Sequence, residues 1–107
     1  DAEKALLAAM LGADPETRRL LPSLDGCRVR EMNDGGMGSL RFAGAPDRRS
    51  AGIAMEARFL DEDGTPVFAA ILLDRHGELF ELDLWKVDGA ALKRIPPVAQ
   101  IGIGRIP

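Results

Sequence analysis

The side chains best suited to chemistry in this sequence are two carboxylates beside a tryptophan. Glu81, Asp83 and Trp85 alternate along a strand-like run, so all three project from one face, with the carboxylates roughly 7 Å apart by the strand repeat. Paired carboxylates suit glycoside hydrolysis, but alternating charge on a solvent-facing strand produces the same spacing. We favour the second interpretation, with Trp85 as a binding residue, because a large ring on a polar face is typical of an interface. The alternative is that the helices or the tail cover Trp85.

A glycine-rich run between two strand-like segments is the second candidate site. The residues of this candidate ligand loop are Asn33, Asp34, Gly35, Gly36 and Gly38. The run is not a dinucleotide-binding fingerprint, because a strand follows it where that fingerprint leads into a helix. It is not a phosphate-binding P-loop either, because no Lys-Ser or Lys-Thr pair ends the run. Asn, Asp and Gly favour a tight hairpin turn. Three close glycines also indicate that the backbone approaches either another part of the chain or a ligand, such as an anion or a partner's backbone.

Metal and thiol chemistry have little support. The chain has one cysteine, Cys27, and one histidine, His76, whereas metal sites draw on several thiolates or imidazoles. We therefore predict no metal, no cofactor and no catalytic residue, and we expect Cys27 to be a small buried residue at the start of a strand. Asp61, Asp63 and Gly64 resemble part of a calcium loop, but the glycine comes two positions early and the bidentate glutamate is absent. They predict a charged turn.

Composition and charge narrow the class of partner. The 107 residues are 46% hydrophobic and predict one soluble globular domain, 1–107, expected in the cytoplasm because no membrane span or signal peptide is visible. The chain begins at Asp1, which is compatible with a leader trimmed from it. Only 5% of the residues are aromatic, too few for a base-stacking platform. Residues 61–88 hold eight acids against two bases, which disfavours nucleic acid and favours either a basic protein partner or a solvated face.

The sequence patterns around these residues predict an α+β domain. Residues 1–22 have the composition of two short helices, separated at Gly12, with Asp14 as N-cap and Pro15 at the first helical position of the second. From 27 to 87 the apolar residues follow strand patterns, and the tail 93–107 is expected to be extended or a short strand. The turns between 51 and 87 are short, so these strands form an antiparallel meander. We predict two short helices packed on a mainly antiparallel sheet of about five strands.

Two stretches together resemble a family of small bacterial proteins of unknown function. These are 32–42, which contains DGGMGSL, and 79–88, which contains ELDLWKVD. Members of that family share this turn and this strand, followed by a leucine and a proline, and Ala91 to Pro96 fits that ending, although Gly89 stands where phenylalanine is typical. The resemblance covers 32–96 and implies no activity. In outline, small acidic α+β proteins are similar to immunity proteins that neutralise bacterial toxins, which is an analogy only.

Three hypotheses follow. The leading one is a non-enzymatic protein-binding domain that uses an acidic sheet face, with an immunity-type inhibitor of a basic toxin domain as its sharpest form. Its partner-binding residues are Glu81, Asp83, Trp85, Asp61, Glu62, Asp63 and Asp74. The alternative is a small enzyme or ligand-binding domain centred on Gly35 and Gly36, using Asp34 with His76 or Glu81. The third is a homodimer formed through an exposed strand. Nucleic acid and membrane partners are not expected.

Overall fold

Two helices at the N-terminus supply one layer of the core. A computed structural model describes residues 2–33, 35–44 and 49–104. Helix α1 is Ala2–Gly12, a run of strong helix formers whose buried side chains occupy one face: Leu6, Leu7, Met10 and Leu11. Helix α2 is short, Pro15–Arg18, and is followed by a 3₁₀ turn, Leu21–Leu24. The prediction of two short N-terminal helices is confirmed.

The junction between the helices is fixed by caps. Asp14 accepts a hydrogen bond from the Glu16 N–H at 2.8 Å, as expected of an N-cap. The Thr17 hydroxyl is buried and donates to the Leu11 carbonyl at 2.8 Å, and the Arg18 guanidinium donates to the Gly12 carbonyl. These carbonyls belong to the last turn of α1, where no intrahelical partner is available. Helix α2 therefore caps the end of α1.

Within the described residues, six strands form one antiparallel sheet. They are β1 Val29–Glu31, β2 Leu40–Phe42, β3 Ser50–Leu60, β4 Pro66–Asp74, β5 Leu79–Lys86 and β6 Gly102–Gly104. Their order is β1-β2-β5-β4-β3-β6. The meander from β3 to β5 is confirmed, and the hairpin of β1 and β2 joins it on the β5 side. The sixth strand is the tail segment, which pairs with Glu56, Ala57 and Arg58 of β3.

Alternation of buried and more exposed residues along most of three strands decides which side of the sheet is the core. Inward residues are Met55, Ala57 and Phe59 of β3, Val67, Ala69 and Ile71 of β4, and Leu82 and Leu84 of β5. Together with α1 they form the core, and Ile95 and Ile101 from the last part of the chain complete it. The opposite side of the sheet, called the open face below, has no helix packed on it in the described part of the chain.

One expectation about burial is wrong. Cys27 is exposed rather than buried, because it precedes β1 at the sheet margin, where its thiol donates to the Leu24 carbonyl at 3.3 Å. Strand β4 lies between β5 and β3, and its residue Phe68 is 42% exposed on the open face.

Candidate functional site

The open face carries an aromatic pair at its centre. Trp85 of β5 and Phe68 of β4 are direct cross-strand partners, with ring centroids 5.9 Å apart and planes inclined by 26°. Trp85 is 52% exposed and Phe68 is 42% exposed. Stacking of two large rings across an antiparallel pair stabilises the sheet, yet the outer surfaces of both rings remain in water. The structure thus places Trp85 on the uncovered side of the sheet.

Apolar residues extend from this pair along β4. Ala70 and Leu72 lie on the same face as Phe68 and are only half-buried. Beyond Phe68, the glycines Gly102 and Gly104 of β6 leave a hollow of about 340 Å³, bordered by Arg58. On the solvent-facing side of a sheet, the residues that alternate with the inward ones along each strand are normally polar. An apolar strip on such a face is a feature of surfaces that bind other molecules.

The charges on the open face are mixed rather than acidic. Glu81 is paired with Arg41 of β2, the guanidinium Nη2 lying 3.0 Å from Oε1. Arg41 also covers the Phe80 ring, with its Cζ 4.6 Å from the ring centroid. Asp83 is exposed and accepts a hydrogen bond from the Ser39 hydroxyl at 3.1 Å. Of the predicted carboxylate pair, Asp83 is therefore the one more open to a partner.

Two other predicted partner-binding residues, Asp61 and Asp63, belong to a different part of the molecule. Asp61 is fully buried, and its carboxylate lies 2.9 Å from the ammonium of Lys86, which is also buried. Asp63 completes an ion triad from the same turn, 2.7 Å from Lys86, and is about one-third exposed. The Lys93 and Arg94 N–H groups donate to Asp61 at 2.8 and 2.9 Å. This triad joins the β3–β4 turn to the segment that follows β5.

Hydrogen bonds between the three groups of the triad keep each of them in its charged form. Burial alone would raise the pKa of Asp61, but the hydrogen bonds from Lys86, Lys93, Glu62 and Arg94 outweigh it and hold that pKa well below its usual range. The pKa of Asp63 is lowered, chiefly by its hydrogen bond from Lys86. The pKa of Lys86 is raised by hydrogen bonds to Asp63 and then Asp61. All three groups are charged at neutral pH, as the structure of the β3–β4 turn requires.

Asp74 and Glu62 also lie apart from the aromatic pair. Asp74 is buried at the far end of β4, and its Oδ1 accepts from the His76 and Glu78 N–H groups at 2.8 and 3.0 Å. It shapes the β4–β5 turn. Glu62 is exposed beside Asp61 at the opposite end of the sheet. The acidic residues of 61–88 are thus divided between the two ends of the sheet and the open face.

Lys86, the centre of the triad, is not among the residues that the sequence predicts to be functional. The available signal was the period of two along β5, since Lys86 follows Leu82 and Leu84 at the same parity and must face the core side. A lysine at a core position requires a buried counter-charge. The counter-charges come from Asp61 and Asp63, whose acidic turn was interpreted as solvated.

The glycine-rich run packs on β5 and on the segment that follows it. A Cβ at Gly36 would lie 3.0 Å from the Ala91 Cβ, and the Leu92 N–H donates to the Gly36 carbonyl at 3.0 Å. A Cβ at Gly38 would lie 3.3 Å from Leu84. The glycines at 35, 36 and 38 all have positive φ, which L side chains rarely adopt. Close approach to the chain itself therefore accounts for Gly36 and Gly38.

The rest of the run continues this contact. The buried Ser39 hydroxyl accepts from the Leu84 N–H at 2.8 Å. Its single hydrogen is shared between the Asp83 carboxylate at 3.1 Å and the Leu84 carbonyl at 3.2 Å. The Met37 sulfur accepts from the Lys86 N–H at 3.3 Å. Asn33 is exposed, and Asp34 lies outside the described residues.

The only cysteine and the only histidine line one cleft. Cys27 and His76 border a space of about 630 Å³ together with Arg28, Arg49 and Arg75. The His76 ring accepts from the Arg75 Nε at 3.4 Å, while the Cys27 thiol donates to Leu24. Each group thus bonds to its own loop rather than to the other, and the cleft has a mixed lining in which Asp74 and Glu78 accompany the three arginines.

The described ranges hold neither a cluster of metal-binding side chains nor a membrane-spanning helix. Among residues 2–33, 35–44 and 49–104, no three His, Cys, Asp or Glu side chains are arranged to hold a metal ion. None of the helices that the structure describes has the length and apolar character needed to cross a bilayer.

Comparison with known proteins identifies the family. A family described as "Domain of unknown function (DUF6984)" matches residues 1–96. Because this match covers most of the chain, the protein belongs to that family. Neither the curated proteins nor the solved structures contain a significant match. The expectation of a family of unknown function is thereby confirmed.

Proposed function

We propose that this chain is a protein-binding domain whose open sheet face engages a protein partner through Trp85 and Phe68. The observation that carries the proposal is the stacked, half-exposed aromatic pair at the centre of a sheet face on which no described helix packs. Aromatic residues fixed by stacking lose little conformational freedom on binding, and rings of this kind are typical interface anchors.

The neighbouring residues supply the remaining properties of an interface. Ala70 and Leu72 extend the apolar strip, and the hollow beside Phe68 offers space for a partner side chain. Asp83 and the Arg41–Glu81 pair border the strip with charge, as the polar rim of an interface does. With Asp61 and Asp74 buried and Glu81 paired with Arg41, selection of a basic partner rests chiefly on Asp83.

The proposal is tested by parallel affinity capture from the native host at low salt. The wild-type chain serves as bait beside two variants, Trp85→Ser/Phe68→Ser and Val98→Ser. Val98 is 43% exposed and lies outside the sheet, so it is a control of matched exposure. A protein enriched by the wild type and by Val98→Ser, but not by the aromatic variant, supports the proposal. Equal enrichment by all three baits contradicts it.

Immunity-type inhibition is the sharper form of the same proposal. It requires that the captured partner be a basic toxin domain and that the purified chain block its activity. A ligand or enzyme site at Gly35 and Gly36 stays a prediction, but contacts within the chain account for Gly36 and no geometric observation favours it.

A further inference from the structure

Strand β1 leaves one edge of its backbone open. It pairs with β2 in the register Val29–Phe42, Arg30–Arg41 and Glu31–Leu40, and it ends the sheet on that side. Beside these pairs, the Ala43 N–H donates to the Arg28 carbonyl and the Met32 N–H to the Ser39 carbonyl. Bonding residues alternate along an antiparallel ladder, so Arg28, Arg30 and Met32 face β2. The N–H and C=O groups of Val29 and Glu31 therefore point outward along the edge.

A groove runs beside this edge on the helix side of the sheet. It has a volume of about 490 Å³ and lies between α1 and β1, with Leu7, Leu24 and Leu40 among its lining residues. Val29 is 45% exposed there, since its cross-strand partner Phe42 and its neighbours leave one side uncovered. Glu31 lines the same groove. An extended segment added to β1 would place alternate side chains in this groove.

Two carboxylates at the edge have no opposite charge beside them. Lys4 at the groove is paired with Asp25 at 2.9 Å, whereas Glu3 and Glu31 make no ion pair with any residue that the structure describes. On the open face, Arg30 lies opposite Arg41, whose guanidinium is bound to Glu81. The groove side of β1 therefore favours a basic side chain, and the Arg30 side favours an acidic one.

We infer that β1 binds an extended peptide segment of another protein by strand addition. The segment carries an apolar residue opposite Val29, an acidic residue opposite Arg30 and a basic residue opposite Glu31. Main-chain hydrogen bonds to the outward groups of Val29 and Glu31 supply affinity, and the alternating side chains supply specificity. This surface is separate from the Trp85 face, so the inference does not rest on the proposed function.

A second copy of the chain is a poor occupant. In a two-fold antiparallel pairing, opposed residues must project to the same face, which allows registers centred on a residue. Centring on Arg30 opposes Arg30 to itself, and centring on Val29 opposes Arg28 to Arg30. Centring on Glu31 opposes Glu31 to itself. Each register places like charges directly opposite, which destabilises the pair.

Selection from a displayed library of random octapeptides tests the inference. The full chain is the target, and Glu31→Pro is the counter-target. Proline removes an N–H that faces outward, so the bonds to β2 persist, as edge strands allow. Enriched peptides should carry the apolar, acidic and basic residues at consecutive positions. When such a peptide binds, the amide NMR shifts of the chain should change at Val29, Glu31 and Leu7. The Trp85→Ser variant should bind the peptide with the same affinity as the wild type.

Charge reversal provides a second variant in case the proline variant does not fold. Glu31→Lys should weaken the selected peptides about tenfold, because an attractive cross-strand pair becomes repulsive. Peptides with an acid in place of their basic residue should regain that affinity. Three results would overturn the inference: no enrichment over the counter-target, shifts confined to other surfaces, or a concentration-dependent dimer that Glu31→Pro abolishes.

Discussion

Replacing Asp61 by asparagine tests the ion triad, the most buried polar element of this fold. Asparagine keeps one oxygen, for either the Lys93 N–H at Oδ2 or the Arg94 N–H at Oδ1, and turns an NH2 group toward the other. It also removes the charge that faces Lys86 at 2.9 Å. Removing one partner of a buried pair costs about 3–5 kcal/mol. Because Asp63 still lies 2.7 Å from Lys86, we expect the lower end, a loss of about 3 kcal/mol in the free energy of unfolding.

That loss is large enough to measure in two ways. For 107 residues the unfolding entropy is about 0.22 kcal/mol/K, so the melting temperature should fall by about 13 °C. Urea denaturation followed by circular dichroism gives the free energy, and a thermal scan gives the temperature. The matched control is Asp63→Asn, which should cost less because its carboxylate is about one-third exposed.

A double variant separates the two roles of Asp61. If the unpaired charge of Lys86 causes the loss, adding Lys86→Met to Asp61→Asn should restore part of the stability. If the loss comes from the Lys93 and Arg94 N–H groups, the second substitution should restore nothing. A loss below about 1 kcal/mol for Asp61→Asn alone would refute the assignment of the triad as a main determinant of stability.

Two further predictions concern pH and the glycine run. The lowered pKa of Asp61 stabilises the fold at pH values above the unfolded pKa of about 4, and this stabilisation is lost as the pH falls through the folded pKa. The raised pKa of Lys86 stabilises the fold at pH values below the unfolded pKa of about 10.4, and this stabilisation is lost as the pH rises through the folded pKa. Urea titrations should show both limbs, and a steep acid limb unchanged in Asp61→Asn would contradict the first. Gly36→Ala should destabilise the fold more than Gly35→Ala, because both have positive φ but only Gly36 meets Ala91. The backbone cost is about 1 kcal/mol in each, and Ala91→Gly should remove only the excess at Gly36.

Local chemistry in the sequence was sufficient to predict most of the secondary structure. The N-cap at Asp14 and the proline after it begin α2, and alternation in β3 and β5 assigns each residue to a face. Trp85 was correctly placed outward by parity alone. These features depend on residues a few positions apart, whose periodicity and capping are set by backbone geometry.

Only the tertiary structure decided what lies opposite each face. Whether the Trp85 side is covered depends on where α1 packs, and α1 packs on the side of Met55 and Ala57. The triad joins Asp61 and Lys86, which are 25 positions apart in the sequence. The tight approach at Gly36 involves Ala91, which is also distant from it in the sequence. Such pairings arise when distant segments close on one core, so no local pattern encodes them. The sequence by itself determined the elements and their faces, while packing determined that the glycine run is a contact within the chain and that the aromatic pair remains in water.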